Sequence, residues 1–294
     1  MANAVTVGVV GLGIMGGAIA RNLAAGGVAV RGYDIDPARC DLLKRNGGTP
    51  VGSAAEAAKG ASVLLTSLPS AAALDATVAA LAAAPVPGLV VAELSTLPIP
   101  DKERCRDRLG EQGMMMLDCP LSGTGAQAET RDLAVYASGD PAAYARAAPV
   151  FAGFARASHD LGAFGNGSKM KFLANLLVAV HNVASAEAMV LGEKAGLDPE
   201  TIVKVIASGA GNSRVFELRA PLMAKRSYRP ATMKIDIWQK DMAIIAAFAK
   251  SLGVETPTFS ATAPIYDAAQ QAGMGEDDTA AVCALLQQRT KPTR

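Results

Sequence analysis

Three glycines near the amino end form a pattern that can hold a phosphate group. The stretch Gly11-Leu12-Gly13-Ile14-Met15-Gly16 fits G-x-G-x-x-G, follows the apolar run Val5–Val10 and precedes a helical stretch. The first glycine then permits a tight turn, the second lets the backbone approach a pyrophosphate, and the third allows close helix packing. The N–H groups at the helix start can receive the anion. We therefore predict a dinucleotide site at residues 11–16; the alternative is a glycine-rich turn without a ligand.

An acidic residue at the end of the second apolar run indicates which dinucleotide is bound. Asp34 lies 18 residues after the last glycine of the motif. A carboxylate there accepts hydrogen bonds from the adenosine ribose and repels a 2′-phosphate, which favours NAD over NADP. Arg31 and Arg39 are near enough in sequence to help hold a phosphate, so NADP remains the alternative cofactor. Asp34 could instead cap the helix that begins near Pro37, although Asp36 is better placed for that role.

Two further loops follow apolar runs and are expected to lie beside the cofactor. They are Leu68-Pro69-Ser70 and Glu93-Leu94-Ser95-Thr96. Ligands of parallel sheets bind outside the carboxyl ends of the strands, so we expect Leu68, Pro69, Ser95 and Thr96 to contact the nicotinamide and its ribose. Either loop could instead be a turn or a helix cap, and Ser95-Thr96 before Pro98 suits capping.

A run of small residues offers donors for a carboxylate. In Asp118-Cys-Pro-Leu-Ser122-Gly123-Thr124-Gly125, backbone N–H groups and two hydroxyls can bind an anion without a permanent charge. The same string is equally compatible with a structural turn.

The stretch Gly165-Asn-Gly-Ser-Lys-Met-Lys171-Phe-Leu-Ala-Asn175 opens a long helical segment. Lys171 and Asn175 are four residues apart and share a face with Val178 and Asn182. Glycines followed by polar groups on one face suggest a helix held against a ligand. A lysine on a helix is nevertheless more often solvated surface than a catalyst.

The elements that must position these residues alternate between strand and helix up to about His159. Near-continuous apolar runs are typical of strands covered on both faces, and their alternation with helical segments implies a parallel, doubly wound sheet. The predicted strands are Val5–Val10, Val28–Tyr33, Val63–Leu68, Leu89–Glu93 and Met114–Asp118. Beyond Gly162 the strand pattern ends, and glycines and prolines delimit helices. These are Ser168–Ala195, Pro199–Ala207, Ser213–Ala224, Lys234–Leu252, Pro257–Gln271 and Asp277–Gln287.

Composition excludes several classes of partner. The 294 residues (30.0 kDa) suit two domains, and the net charge of +1 gives no overall field for nucleic acid or an anionic membrane. The amino end lacks the features of a signal peptide, and Phe172–Leu191, the most apolar stretch, contains polar residues. We therefore expect a soluble cytoplasmic protein. The four cysteines are scattered and only two histidines accompany them, which argues against a metal site and a disulfide framework.

Four motifs in order resemble the β-hydroxyacid dehydrogenases, the group that contains 3-hydroxyisobutyrate dehydrogenase, tartronate semialdehyde reductase and the more distant 6-phosphogluconate dehydrogenases. Residues 11–16 are similar to the family's G-L-G-x-M-G, and residues 118–124 to D-x-P-V-S-G-G. Residues 165–175 are similar to G-x-G-x-x-x-K-x-x-N-N, and Lys240-Asp241-Met242 to K-D-L. The resemblance covers essentially the whole chain.

The resemblance implies a fold and an assembly. It implies a Rossmann domain over residues 1–163 and an all-helical domain for substrate binding and oligomerisation over residues 164–294, joined by a long interdomain helix. It also implies a homodimer or homotetramer.

The resemblance likewise implies roles for the site residues. Lys171 is the catalytic lysine and Asn175 binds substrate. Ser122 and Gly123 hold its carboxylate, with Thr124 in the pocket, and Lys240 lies near cofactor and substrate. The chain departs from the family pattern at Leu121, Thr124 and Ala174, and Thr124 bears on the choice of substrate because it adds a side chain to the pocket.

The expected reaction is reversible hydride transfer between NAD and a small, 3-hydroxyisobutyrate-like 3-hydroxy acid, with Lys171 as proton donor and acceptor. Decarboxylating relatives have a glutamate where this chain has Val178, which indicates simple dehydrogenation. One alternative is an NADPH-dependent reductase of succinic or tartronate semialdehyde. Another is a catalytically silent dinucleotide-binding protein. Arg214 and Arg219 could meet a second anionic group of a substrate, or could serve the helices themselves.

Overall fold

The chain folds into two compact units, the first ending at Lys171 and the second beginning at Phe172. The structure is a computed structural model that describes residues 6–290. Val5, with which the first predicted strand begins, lies outside the described residues.

A six-stranded parallel sheet forms the centre of the first unit, and this confirms the predicted fold class. Its strands stand in the order β3-β2-β1-β4-β5-β6. They are β1 (Thr6–Val10), β2 (Ala29–Tyr33), β3 (Thr49–Pro50), β4 (Val63–Thr66), β5 (Val90–Glu93) and β6 (Met115–Asp118). The sequence did not predict β3, because a two-residue strand has no periodicity to recognise.

Both faces of this sheet are covered, as the continuous apolar runs require. Successive side chains of a strand point to opposite faces. In β4, Leu65 packs into the cluster that contains Ile19, whereas Leu64 packs into the cluster that contains Leu74. All four of these side chains are fully buried.

Two helices of the first unit begin at side chains that the sequence suggested as caps. Asp36 accepts a hydrogen bond from the Ala38 N–H at 3.0 Å, with Pro37 in the first turn. Ser70 caps another helix through the Ala73 N–H. The helices are α1 (Ile14–Ala25), α2 (Pro37–Arg45), α3 (Ala54–Ala58), α4 (Ala71–Ala83), α5 (Ile99–Gly110), α6 (Gly125–Glu129) and α7 (Pro141–Phe151).

A second, three-stranded sheet in the first unit was not predicted. It consists of β7 (Leu121–Ser122), β8 (Ala134–Ala137) and β9 (Ala157–Asp160) in the order β7-β8-β9. β7 is too short to show alternation, and β9 reads Ala-Ser-His-Asp with half-buried and exposed positions. An apolar run therefore does not mark β7 or β9, whereas β8, which reads Ala-Val-Tyr-Ala, is apolar and was missed.

The second unit is helical, as predicted. A long helix, α8 (Asn166–Lys194), begins in the first unit and continues into the second. The further helices are α9 (Pro199–Ala207), α10 (Arg214–Lys225), α11 (Ile235–Ser251), α12 (Pro257–Ala269) and α13 (Val282–Arg289). The helix predicted over Asp277–Gln287 is divided, because Asp278 caps a separate 3₁₀ turn, Thr279–Ala281, ahead of α13.

Among the described residues, α8 alone is long and apolar enough to cross a membrane by length and composition. Its polar residues are internal: Asn182 is fully buried and donates to the Tyr266 hydroxyl and the Thr279 carbonyl, both at 2.9 Å. We therefore interpret α8 as a core helix.

Candidate functional site

The glycine loop has a backbone that only glycine can follow. Gly11 has φ +86°, and a Cβ there would overlap the Ser67 carbonyl oxygen. A Cβ on Gly16 would overlap the Gly11 carbonyl oxygen. Within the described part of the chain no side chain caps α1, whose N-cap is Gly13. The first turn of α1 therefore presents backbone donors, and this arrangement fits a pyrophosphate.

Asp34 lies at the end of β2 and is fastened to the glycine loop. Its Oδ2 accepts a hydrogen bond from the Leu12 N–H at 2.6 Å, and its Oδ1 accepts one from the Asp36 N–H at 2.9 Å. Asp36, not Asp34, caps α2. The half-buried Asp34 carboxylate thus keeps a fixed orientation beside the loop, as a ribose acceptor requires.

The two arginines considered for a phosphate lie in different surroundings. Arg31 donates from Nε to the Glu56 carbonyl at 3.1 Å. A Cβ on Gly13 would lie 2.7 Å from Arg39 Nη1, so the Arg39 guanidinium is next to the glycine loop. Arg39 also pairs with Asp36 at 3.3 Å. Of the two, only Arg39 is shown beside the predicted phosphate site.

The loops after β4 and β5 are joined directly. The Leu68 N–H donates to Ser95 Oγ at 2.8 Å, so two residues predicted to contact the cofactor lie side by side. The capping alternative is correct for Ser70 and wrong for Ser95, since α5 has Pro98 at its N-cap and Ser95 bonds to the neighbouring loop.

The Ser122-Gly123-Thr124 loop lies against the glycine loop. Gly123 has φ +131°, and a Cβ there would lie 2.6 Å from the Leu133 side chain. Thr124 is the N-cap of α6, and its N–H donates to Gln127 Oε1 at 3.1 Å. A Cβ on Gly125 would lie 2.6 Å from Ile14 Cγ2, which places the start of α6 next to the predicted dinucleotide site. Gln127 therefore caps the start of α6 through the backbone N–H of Thr124, a bond that a glycine at this position could also donate.

A buried lysine that no sequence motif indicated connects several of these loops. Lys102 is fully buried and lies 2.6 Å from Glu93 Oε2 and 2.7 Å from Asp118 Oδ1. Its Nζ also donates to the Ser95 carbonyl at 2.7 Å. Burial alone would lower the pKa of Lys102, but the Asp118 and Glu93 carboxylates together raise it above its ordinary value. Helical spacing could have indicated this burial, because Lys102 lies on the same face of α5 as Cys105 and Leu109, which are buried.

Asp118 anchors the start of α8. Its Oδ2 accepts a hydrogen bond from the Ser168 N–H at 2.7 Å, and its Oδ1 accepts one from Ser168 Oγ at 2.8 Å. The Gly167 N–H donates to Ser138 Oγ at 2.9 Å, and a Cβ on Gly167 would overlap the Tyr136 carbonyl oxygen. Gly167 thus allows the start of α8 to approach the backbone at Tyr136 and Asp118.

Lys171 lies three residues beyond Ser168 on α8 and is 9% exposed. A solvated surface lysine would be far more exposed, so the commoner interpretation of a lysine on a helix does not apply here.

In the second unit, Asn175 and the Lys240-Asp241 pair form one cluster. Asn175 is 4% exposed, and its Nδ2 donates to Asp241 Oδ2 at 2.9 Å. Asp241 is 5% exposed and pairs with Lys240 Nζ at 3.3 Å. Asp241 thus fixes the Asn175 amide so that its nitrogen is engaged and its Oδ1 can accept a hydrogen bond from another group. Sequence motifs alone predicted no role for Asp241.

Two other polar residues that the sequence singled out, Arg219 and Asn182, are bonded to residues inside the helical unit. Arg219 is 5% exposed and pairs with the buried Asp278 at 2.7 Å, so it is committed to the fold and not to a substrate. Asn182, on the face of Asn175, is bonded inside the helical core. Among residues 6–290, no group of three or more His, Cys, Asp or Glu side chains is arranged to hold a metal ion.

Comparisons with known proteins place the chain in a family. Residues 6–164 match the model for the NAD-binding domain of 6-phosphogluconate dehydrogenase, and residues 165–286 match the NAD-binding model of NADP-dependent 3-hydroxyisobutyrate dehydrogenase. The chain is 37% identical to an L-threonate dehydrogenase of Cupriavidus necator over 95% of each chain. It is 29% identical to the chloroplastic glyoxylate/succinic semialdehyde reductase 2 of Arabidopsis thaliana, covering 96% of this chain and 79% of that protein.

Solved structures agree with this assignment. The crystal structure of a 3-hydroxyisobutyrate dehydrogenase from Salmonella typhimurium has a TM-score of 0.87 and 32% identity, covering 96% of this chain and 99% of that one. Its fold matches the Rossmann-like sheet and the helical second unit described above. The chain therefore belongs to the NAD(P)-dependent β-hydroxyacid dehydrogenases, the family of 6-phosphogluconate and 3-hydroxyisobutyrate dehydrogenases, and is an oxidoreductase that acts on CH–OH groups.

Proposed function

We propose that the protein catalyses reversible hydride transfer between NAD and a small 3-hydroxy acid, with Lys171 as proton donor and acceptor. The observation that carries this proposal is the buried Lys171 on a helix whose first turn is anchored by Asp118. When bound, the nicotinamide supplies the hydride acceptor or donor. The side chains of the protein orient the substrate and accept or donate the proton.

The proton is assigned to the Lys171 side chain. In oxidation, Lys171 Nζ takes the hydroxyl proton of the substrate, and in reduction it returns that proton to the carbonyl oxygen. Asn175 orients the same hydroxyl through Oδ1, because Nδ2 is engaged by Asp241. Lys240, whose side chain is 33% exposed beside Asp241, lies near cofactor and substrate in this proposal.

We assign the substrate carboxylate to the Ser122-Gly123-Thr124 loop. The Thr124 N–H donates to Gln127, so the Ser122 hydroxyl and the Gly123 N–H are the donors proposed for the anion. Thr124 borders the pocket and limits its size. These are neutral donors, and a substrate with a single carboxylate suits them.

The proposed cofactor contacts follow the geometry of the first unit. The pyrophosphate site is formed by the glycine loop, Gly11, Leu12, Gly13, Ile14, Met15 and Gly16. Asp34 accepts hydrogen bonds from the adenosine ribose. Leu68, Pro69, Ser95 and Thr96 contact the nicotinamide half. The oriented Asp34 carboxylate supports NAD as the preferred cofactor, because it would repel a 2′-phosphate.

L-Threonate and 3-hydroxyisobutyrate are the first substrates to test, because similar proteins bear those names. The experiment is a panel of hydroxy acids that also includes glycerate and phenylserine, each assayed with NAD⁺ and with NADP⁺. We expect NADH formation with at least one acid and a higher kcat/KM with NAD⁺. Tight NADH binding without turnover on any acid would instead identify a silent dinucleotide-binding protein.

A second candidate is an NADPH-dependent reductase of a semialdehyde such as succinic or tartronate semialdehyde. The position of Arg39 beside the glycine loop favours it, as does the semialdehyde reductase among the relatives. Steady-state reduction of these aldehydes with NADH and with NADPH separates the two proposals. If kcat/KM for reduction of an aldehyde with NADPH exceeds kcat/KM for every oxidation with NAD⁺, the protein is a reductase.

We further propose a cytoplasmic homodimer or homotetramer, with residues 1–163 as the cofactor domain and residues 164–294 as the domain for substrate and subunit contacts. Leu173 and Leu177, one turn apart on α8, are 54% and 52% exposed, which supports a covered face in an assembly. The four cysteines are free thiols, which suits a reducing compartment. Light scattering and cell fractionation test these two points.

A further inference from the structure

The buried ammonium of Lys102 has three partners that belong to different parts of the proposed site. Its Nζ donates to the carbonyl of Ser95, which follows β5, at 2.7 Å. It pairs with Glu93 at 2.6 Å and with Asp118, at the end of β6, at 2.7 Å. All three charged side chains are fully buried. One cation therefore joins the loop after β5 to the end of β6.

The first branch of this network reaches the proposed nicotinamide contacts. Ser95 is held at its carbonyl by Lys102 and at its N–H by Glu93 Oε1, at 2.9 Å. Its hydroxyl then accepts a hydrogen bond from the Leu68 N–H. The positions of both predicted cofactor loops thus depend on the backbone of Ser95.

The second branch reaches the helix that carries the proposed catalytic lysine. Asp118 accepts from the N–H and the hydroxyl of Ser168, and Lys171 follows three residues later on α8. Lys102 pairs with the same Asp118 oxygen that accepts from Ser168 Oγ. A displacement of Asp118 would therefore move the start of α8.

We infer that Lys102 is a positioning residue for the reaction, which sets the nicotinamide loops and the first turn of α8 at fixed places relative to each other. The inference rests on the proposed roles of Lys171 and of the loops at Leu68 and Ser95. Lys102 does not touch substrate in this scheme. A misplacement of about 1 Å at a reacting group can reduce turnover by roughly 10²-fold. Loss of the contacts made by Lys102 should therefore lower kcat.

A direct replacement of Lys102 would leave two buried carboxylates without a cation, which is strongly destabilising in itself. The test therefore compares Glu93→Gln with Glu93→Gln/Lys102→Met. The double variant removes one anion and one cation, so the cluster keeps the net charge of minus one that two carboxylates and one ammonium have in the parent. In both variants the side-chain oxygen of the introduced glutamine can still accept from the Ser95 N–H. The two variants differ only at residue 102, where one keeps the ammonium of lysine and the other has methionine.

The readouts are Tm, the dissociation constant of NADH from fluorescence, and kcat and KM with the best hydroxy acid. We expect the double variant to fold, with kcat about 10- to 100-fold below that of Glu93→Gln and with weaker NADH binding. Equal kcat and equal NADH affinity in the two variants would overturn the inference. Arg219→Lys, in a buried ion pair of the second unit, controls for lost stability: its Tm should fall while NADH affinity stays unchanged.

Ser168→Ala provides a second variant should the double variant not fold. It removes one hydroxyl bond to Asp118 and no charge. We expect a several-fold lower kcat with unchanged NADH affinity, and an unchanged kcat would contradict the link to α8. If the parent protein oxidises no hydroxy acid, the proposed function fails. The loss of NADH affinity on removal of the ammonium would then still test the positioning role.

Discussion

The Asp34 carboxylate accepts a hydrogen bond from the backbone N–H of Leu12 at 2.6 Å. This bond ties the end of β2 to the glycine loop, so the residue proposed to select the cofactor is fastened to the loop proposed to hold its pyrophosphate. Under these proposed roles, cofactor choice and phosphate binding both depend on the Asp34 side chain.

Replacing Asp34 by Asn should weaken the preference for NAD. The amide keeps the shape but loses the charge that repels a 2′-phosphate and strengthens the bonds to the ribose. We expect kcat/KM with NAD⁺ to fall about 10-fold and the NAD⁺/NADP⁺ ratio to fall with it, as measured by initial rates. Asp140→Asn keeps a side chain that can cap α7, away from the glycine loop, and should leave the ratio unchanged. An unaltered ratio in Asp34→Asn would remove this residue from cofactor selection.

A side chain at Gly11 should abolish dinucleotide binding. Its Cβ would overlap the Ser67 carbonyl oxygen in addition to straining a backbone with φ +86°. Gly47→Ala is a matched control, because Gly47 has the same φ and no described atom within 4 Å of a Cβ. We expect Gly47→Ala to cost about 1 kcal/mol of unfolding free energy and to bind NADH normally. Gly11→Ala should cost more, about 2–4 kcal/mol, and lose NADH binding; normal binding there would refute the phosphate-loop assignment.

Removal of the Lys171 ammonium should stop the chemistry and spare cofactor binding. We expect Lys171→Ala to lower kcat by about 10²-fold or more, since the proton of the alcohol then loses its proposed acceptor. NADH fluorescence titration should give nearly the parent affinity. Lys169→Ala is the control, because Lys169 is exposed on the preceding part of the same helix and bonds only locally to Asn166. Comparable turnover in the two variants would end the assignment of Lys171.

The two buried asparagines of α8 should respond differently to substitution. Asn175→Ala removes the amide that Asp241 orients, so we expect kcat/KM for the hydroxy acid to fall about 10-fold or more with little change in NADH affinity. Asn182→Ala removes bonds to Tyr266 and Thr279, and should lower the free energy of unfolding by about 1–3 kcal/mol. Its kinetic constants should stay near those of the parent. Urea denaturation and initial rates measure the two effects separately.

The cysteines should differ in reactivity. Burial raises the pKa of Cys105 to about 12 and that of Cys283 to about 11, and it raises the pKa of Cys119 well above its ordinary value. A thiol reagent at about pH 8 should therefore modify the half-exposed Cys40 rapidly and the other three only on unfolding. Cys40→Ser should remove the fast phase, and a fast phase that persists would show a second accessible thiolate.

The same shifts make stability depend on pH. Because the folded state raises these thiol pKa values, their contribution to the free energy of unfolding is complete below the ordinary value of 9.0. It is lost as pH rises towards about 12. Below about pH 9, these thiols should not change the urea midpoint of unfolding. Above about pH 9, the midpoint should decline as pH rises.

Local patterns in the sequence determined the architecture and the cofactor motif. Five continuous apolar runs marked the central strands, because a sheet covered on both faces needs apolar residues at every position. The glycine motif, the caps at Asp36 and Ser70, and the helices of the second unit follow from interactions within a few residues, and these the sequence displays. The short strands β3, β7, β8 and β9 were not predicted, because their pairing is decided by neighbours distant in the chain.

The tertiary structure alone decided which polar residues are partners. Lys102, Asp118 and Ser168 are separated by 16 and 50 residues, and no local rule relates a lysine on a helix to them. Likewise Asn175 and Asp241 are 66 residues apart, and Arg219 meets Asp278 across 59 residues. Burial makes these pairings obligatory, because a charge removed from water needs a partner within bonding distance. Which partner it finds depends on how the elements pack, and the sequence encodes that only through the whole fold.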